Sequence, residues 1–181
     1  MEINSNGKKY QVVYADPPWR YEHPPMGMTK KSIEYQYETM TLDEIKDLEI
    51  PFDDDCVLFL WTTSPKLKET FEVIEKWGFE YRTCMVWDKV NIGTGYWFRS
   101  QHELLLVCLK GHISPPDTSL RLPSVYKEKK KGHSVKPDFI RYHIERCFPD
   151  KNKLELFARN RVDGWDCYGN QLSKTIQRRI T

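Results

Sequence analysis

Residues 10–21 read YQVVYADPPWRY, a run of β-formers cut off by an acid, two prolines and an indole. Residues 11–15 have the length and the β-branched content of a buried strand. Pro17 ends it, because proline has no N–H to give to a ladder. Pro18 forces Pro17 out of the helical region, and both rings fix φ. The strand therefore runs into a rigid corner. With no proline N–H nearby, the two proline carbonyls are expected to face outward as acceptors without donors. Asp16 adds a carboxylate, an acceptor only when ionised. Trp19 adds a flat apolar face. Two acceptors and a stacking plate suit a planar group that carries an NH2, such as adenine or cytosine. The plainer alternative is a loop with a buried Trp and a solvated Asp.

The chain around this corner alternates in period. Thr41, Leu42, Asp43 and Glu44 match a capping box and open a helix to about Leu48. CVLFLW, residues 56–61, reads as a second buried strand. Ser64 and Pro65 look like an N-cap and a first-turn proline. Leu67, Phe71 and Ile74 share one face of the helix that follows, and Gly78 ends it. TCMVWDKV and HELLLVCLKG are two more strands, joined by the Gly-rich residues 91–100. Residues 111–135 carry prolines and KEKKKGH without apolar period and read as a long loop. Pro137 and Asp138 start a helix with Ile140, Ile144 and Cys147 inward. KLELFA, residues 153–158, is a fifth strand, and LSKTIQRRI a terminal helix. Strands alternating with helices imply a single α/β domain over residues 1–181 with a mostly parallel sheet. Ligands in such sheets bind beyond the carboxyl ends of the strands. Two strand ends carry unusual chemistry there: DPPW, and the RNR that follows LELFA. Neither G-x-G-x-x-G nor a P-loop occurs, which argues against a dinucleotide or ATP enzyme.

Composition narrows the classes further. The net charge is only +2, so nucleic-acid affinity must come from local patches. Six Trp and ten Tyr exceed what a core of this size requires, which points to exposed stacking surfaces beside packed ones. The five cysteines show no C-x-x-C pairing, so no metal site is expected. The start MEINSNGKKY is polar, and CVLFLW and LLLVCL are too short to span a bilayer. A soluble, cytoplasmic protein with reduced thiols and no membrane partner is the expectation.

Seven blocks in order carry a resemblance: VVYADPPW, YETMTLDEI, VLFLWTT, GYWFRSQHELLLVCLKG, HSVKPD, KLELFAR and GWDCYGNQL. In them the chain resembles the adenine-N6 methyltransferases typified by the catalytic subunit of the eukaryotic mRNA methyltransferase, which have many bacterial and phage relatives. The resemblance implies a Rossmann-like methyltransferase fold with helices on both faces of the sheet. It implies S-adenosylmethionine as cofactor. It also implies a circularly permuted order, since the catalytic block precedes the cofactor strand. Asp16 would accept from the adenine N6 amine, from the cofactor's amino group, or from both. The Pro17 carbonyl would take a second amine proton, with Pro18 completing the corner, and Trp19 would stack on the flipped base. Lys136 matches the family lysine near the cofactor's carboxylate, its alternative being a solvated lysine ahead of a helix. Glu155, Phe157, Arg159, Asn160 and Arg161 lie on or after the cofactor strand. A structural ion pair between Glu155 and Arg159, four apart in a strand, is the alternative for those two. Asn170 and Gln171 match a pair at the cofactor's nucleoside end. Tyr37, with Tyr21, falls on the substrate side, and Trp61 reads as core more than site.

Two departures stand out. Only fifteen residues precede Asp16, so an acid that the mRNA enzyme supplies to the cofactor's adenine from upstream is expected to be missing or replaced. The link NRVDGW is shorter than its counterpart, which loosens the pairing of Asn160 and Arg161 with family positions. The reaction implied is direct in-line methyl transfer to a flipped or single-stranded adenine. DNA is the expected partner, RNA the alternative, and a non-catalytic subunit ranks behind both because DPPW is whole. Residues 20–36 and 111–135 would be mobile substrate loops. The basic run Lys127, Lys129, Lys130 and Lys131 would hold phosphates or simply be a solvated loop, with Arg178 and Arg179 as further cations. So small a chain leaves little surface for reading flanking bases, which leaves a homodimer or a partner subunit open.

Overall fold

The computed structural model describes residues 3, 5–21, 39–132, 135–170 and 172. Tyr37, Gln171, Arg178, Arg179, the expected terminal helix and nearly all of the loop at 20–36 lie outside the described residues. The strand read from residues 11–15 is β1 (Tyr10–Ala15). It is buried on both faces, which fits its unbroken apolar run. It lies between β2 (Phe52–Thr62) and β6 (Lys153–Leu156), parallel to both. β4 (His102–Lys110) runs antiparallel to β2 and to β3 (Glu80–Asp88). Three-residue strands close the described sheet at each side: β5 (Val125–Lys127) along β3, and β7 (Asp166–Tyr168) along β6. The order is β5-β3-β4-β2-β1-β6-β7, mostly parallel, with β4 alone reversed. One sheet edge thus collects the carboxyl ends of six strands and the amino end of β4.

Helices cover both faces. α1 (Leu42–Lys46) and α2 (Leu67–Lys76) bring Ile45, Val73 and Ile74 onto the face of Val13, Ala15 and Leu58. α3 (Asp138–Cys147) brings Ile140 and Ile144 onto the opposite face, with Val12, Tyr14 and Trp61. The α/β expectation and the five long strands are therefore found, as a Rossmann-like arrangement. The capping box is present: Thr41 N–H donates to Glu44 Oε2 at 2.7 Å, and Glu44 N–H to Thr41 Oγ1 at 3.2 Å. Gly78 stops α2 at φ +77°, a backbone state that costs glycine nothing. Phe71, expected inward, is exposed and meets Tyr81 edge-on.

Two expectations change. The stretch 111–135 is more than a loop, since it holds β5 and a short turn of 3-10 helix at Thr118–Leu120. Three residues on a sheet edge leave no readable period. The fifth strand stops at Leu156 and does not reach Ala158. Phe157 sits at φ +61°, a left-handed conformation that breaks the pleat. Beyond this point the two-residue alternation no longer applies, so it cannot place Arg159 beside Glu155.

Candidate active site

The corner after β1 is tied down on all sides. Trp19 N–H donates to the Pro17 carbonyl at 2.9 Å, so the chain folds straight back on itself. Met40 N–H donates to the Pro18 carbonyl at 2.8 Å, and Arg20 N–H to the Met40 carbonyl at 3.1 Å. These bonds pin the corner to the segment that enters α1. The expectation of carbonyls without donors is thus corrected: both have one, supplied by backbone N–H groups after the prolines. A carbonyl has two lone pairs, so each keeps one for a ligand. Trp19 also differs from the expected open plate. Its indole is 7% exposed and lies in the core with Ile45 and Leu60. Its Nε1 donates toward the Trp61 carbonyl at 3.5 Å. It forms the wall on which the corner rests, and a base cannot lie flat on it in this conformation.

Asp16 is held differently. Lys136 Nζ donates to both of its carboxylate oxygens at 2.7 Å. The same ammonium lies 3.3 Å from Glu103 Oε2 and 5.6 Å over the Trp61 ring. Glu103 in turn accepts from Lys89 Nζ at 3.2 Å. Lys136 is therefore the centre of an ion network, and the reading as a solvated lysine fails. Burial pushes the Asp16 carboxyl above the usual carboxylate range, with Lys136 pulling the other way. Burial also works against the Lys136 charge, but Asp16 and Glu103 outweigh it and hold the ammonium above the usual lysine range. Glu103 ends up below the usual range: burial opposes its charge, while Lys136 and Lys89 together outweigh burial.

Glu103 and Lys89 were not found from sequence. An acid at the head of an otherwise apolar strand, HELLLVCLKG, was the available signal. Neither was Tyr14, whose hydroxyl takes the Trp61 Nε1 proton at 2.7 Å under the network. Trp61 is fully buried, as a core residue should be.

Beside this network lies Glu155, directly across from Tyr14 in the sheet. Arg141 Nη1 donates to it at 3.3 Å and Arg141 Nη2 to Asp138 at 3.3 Å. Glu155 thus pairs with a helix residue rather than along its own strand. Burial raises its carboxyl, and Arg141 counters. The turn after β6 is sealed by Ala158 N–H on the Tyr168 carbonyl at 3.0 Å. Gly169 packs so closely on the backbone of Phe157 and Ala158 that a Cβ would strike the Ala158 carbonyl oxygen. Arg159, partly buried, contributes its positive charge to Asp16. Asn160, Arg161 and Asn170 are exposed on the same edge.

On the substrate side, the Tyr21 hydroxyl shares a 2.7 Å hydrogen bond with Thr63, and Lys66 sits 5.5 Å over its ring. Lys127 lies in β5; Lys129 and Lys130 are exposed. Lys131 is 3.6 Å from Glu128 and 3.8 Å from Asp138, so part of its charge is already answered. Among the described residues no three His, Cys, Asp or Glu side chains converge as metal ligands. None of the described helices is long and apolar enough to cross a membrane, and the five cysteines are unpaired.

The MT-A70 family model matches residues 10–171. The chain is 38% identical over 184 residues to the type II methyltransferase M.MunI of Mycoplasma sp, covering 91% of this chain and 78% of that protein. It is 35% identical over 175 residues to the human N(6)-adenosine-methyltransferase catalytic subunit METTL3, covering 91% of this chain but 28% of that one. An MT-A70-like N(6)-adenosine-methyltransferase of Arabidopsis thaliana is 33% identical over 176 residues, again with 91% of this chain and 24% of the plant protein. The chain thus spans most of the Mycoplasma enzyme and about a quarter of the animal and plant ones.

Proposed function

The chain belongs to the MT-A70 family of methyltransferases, and we propose that it transfers a methyl group from S-adenosylmethionine to the N6 amine of adenine in DNA. The observation that carries this reading is Asp16, placed at the end of the interior strand β1 inside a fixed corner and held by Lys136. Support for DNA comes from the Mycoplasma relative, a type II methyltransferase of which this chain spans 78%.

The residues present fit the cofactor. An amino-acid head carries an ammonium and a carboxylate, and Asp16 and Lys136 form a pair of the complementary signs. Each can exchange its present partner for the matching group of the ligand, so neither is left as an unpaired buried charge. Glu155 and Asn170 are suited to a ribose diol, since one accepts and the other both donates and accepts. S-adenosylmethionine, when bound, supplies a methyl group already activated for transfer.

The protein's task is then to prepare the amine. The N6 lone pair is delocalised into the ring, which makes the nitrogen a poor nucleophile. The Asp16 carboxylate and the second lone pair of the Pro17 carbonyl accept the two amine protons. These bonds localise the lone pair. Positive charge grows on that nitrogen as it reacts, so the same acceptors stabilise the transition state more than the ground state. The corner is rigid before substrate arrives, which removes the cost of orienting the acceptors. In a duplex the adenine is paired and stacked and cannot enter the corner, so the base must be flipped or already single-stranded.

The deciding experiment incubates the protein with S-adenosylmethionine and matched DNA and RNA oligonucleotides. Mass spectrometry then looks for N6-methyladenine, which is expected in the DNA. Product on RNA alone moves the substrate assignment. No product on either, with cofactor bound in calorimetry, rejects catalysis.

A further inference from the structure

Under α3 lies a buried ion pair whose geometry is too poor to serve stability alone. The Arg141 and Glu155 side chains are 14% and 12% exposed, and one bond of 3.3 Å joins them, from Nη1 to Oε2. Arg141 Nη2 donates to Asp138 Oδ1 at 3.3 Å. The Arg141 Nε–H is buried and has no acceptor among the described residues. An arginine set for stability would meet its acid through two parallel short bonds. Here the desolvation of two charges is set against one long bond, and the orphaned N–H adds to the cost. Val12, Tyr14, Ile140 and Ile144 pack on this face of the sheet, so apolar side chains of similar size would fill the space as well. Charges kept at such a cost point to a site rather than to the core.

The position of the pair indicates which ligand group it serves. Glu155 is the last residue but one of β6, level with Tyr14 in β1 and Cys167 in β7. Asp16 follows two residues after Tyr14, so Glu155 approaches the same sheet edge as the corner. The charges that reach Glu155 are Asp16 from the corner and Asp138 and Arg141 from α3. Tyr14 and Cys167 stay neutral beside it, because burial raises both. Burial and the two acids push the Glu155 carboxyl up, and Arg141 opposes them. Without that cation a buried carboxyl beside two acids takes up a proton and is no longer purely an acceptor. Arg141 holds Oε2, which leaves Oε1 for a ligand. A ribose diol offers two O–H donors, the match for an ionised carboxylate.

We propose that Arg141 is a positioning residue, which fixes the Glu155 carboxylate as the acceptor for the ribose diol of the methyl donor. The proposal rests on the S-adenosylmethionine reading, and its test is separable from methylation. Calorimetry compares two unreactive ligands, S-adenosylhomocysteine and its counterpart lacking both ribose hydroxyls. Asp16 and Lys136 face the same head group in both, so the ratio of the two affinities reports the diol. Wild type is expected to favour the diol, and Arg141→Met should shrink that preference by about ten-fold. Arg141→Lys returns a cation and should restore most of it. The preference should also fall in acid, as Glu155 takes up a proton. In Arg141→Met the fall should lie at higher pH, since burial, Asp16 and Asp138 then raise the carboxyl unopposed. A ratio unchanged by Arg141→Met overturns the proposal. So does a lower thermal midpoint with the ratio intact, which makes the pair merely structural. If Arg141→Met does not fold, Arg141→Gln keeps an N–H toward Glu155 without the charge and is expected to lose the same preference. An altered ratio in a protein that never methylates adenine keeps the Arg141 assignment and rejects the adenine reading. A wild type that binds neither ligand rejects both.

Discussion

The corner after β1 and the loop after β3 leave the same edge of the sheet, and they are built in opposite ways. At the corner the polar groups are tied down: the two proline carbonyls by backbone N–H groups, the Asp16 carboxylate by Lys136, the Trp19 indole by the Trp61 carbonyl. At the loop tip three aromatics, Tyr96, Trp97 and Phe98, stand in solvent. Burial makes electrostatics strong and orientation fixed, whereas exposure leaves a surface adaptable. One residue joins the two regions. Glu103, at the head of β4, faces Lys136 on one side and Lys89 on the other.

Substitutions test how far the closed region depends on its closure. Asp16→Asn keeps the shape but loses the charge, and should lower the methyl-transfer rate by about 10²–10³-fold. Radiolabel transfer at saturating S-adenosylmethionine measures this, and retention of more than a few percent of activity would remove Asp16 from the chemistry. The same residue sets a pH dependence. Its carboxyl is raised by burial, so the ionised acceptor forms only above the usual carboxylate range. The acid limb of the rate should lie there. Lys136→Met removes the opposing cation and leaves burial and Glu103 to push further up, so the limb should move to higher pH. A limb that stays or falls contradicts the network.

Trp19→Ala removes a core indole rather than an open plate. It should cost about 3–5 kcal/mol of stability in denaturant unfolding. A loss of substrate affinity at unchanged stability would restore the stacking role. Glu103→Gln leaves Lys136 and Lys89 short of a charge and should cost about 3 kcal/mol near neutral pH. Glu103 is held below the usual range, so its contribution is present above the unfolded-state value and is lost as the pH falls through the folded one. The gap between wild type and variant in thermal unfolding should therefore close in acid. Thr41→Ala breaks the capping box beside Met40 and should cost about 1 kcal/mol. If activity drops more than stability does, the pin from Met40 to Pro18 matters to the corner.

Much of the frame was legible in the chain. Unbroken apolar runs gave β1, β2 and β4, because strands buried on both faces leave no alternation to misread. Thr41 with Glu44 and Gly78 marked helix ends through local hydrogen bonds and a local φ. β5 and β7 were not legible, since three-residue edge strands are defined by the neighbours they pair with. The extension of β6 to Ala158 failed for a related reason. Phe157 is left-handed where Gly169 packs on the turn from another strand, and nothing local in LELFA announces it.

The sequence by itself determined that β1 ends in a rigid acceptor corner, because proline fixes φ and an Asp cannot donate. It also determined the family, through blocks whose order any fold of the chain must keep. Only the tertiary structure decided which groups hold Asp16. Lys136, Glu103 and Lys89 are 120, 87 and 73 residues away along the chain. They meet because β4 runs backwards beside β2 and delivers its amino end to the edge where β1 ends at Asp16. Ion pairs between buried groups depend on distance in space, and residue spacing along a chain does not encode that distance.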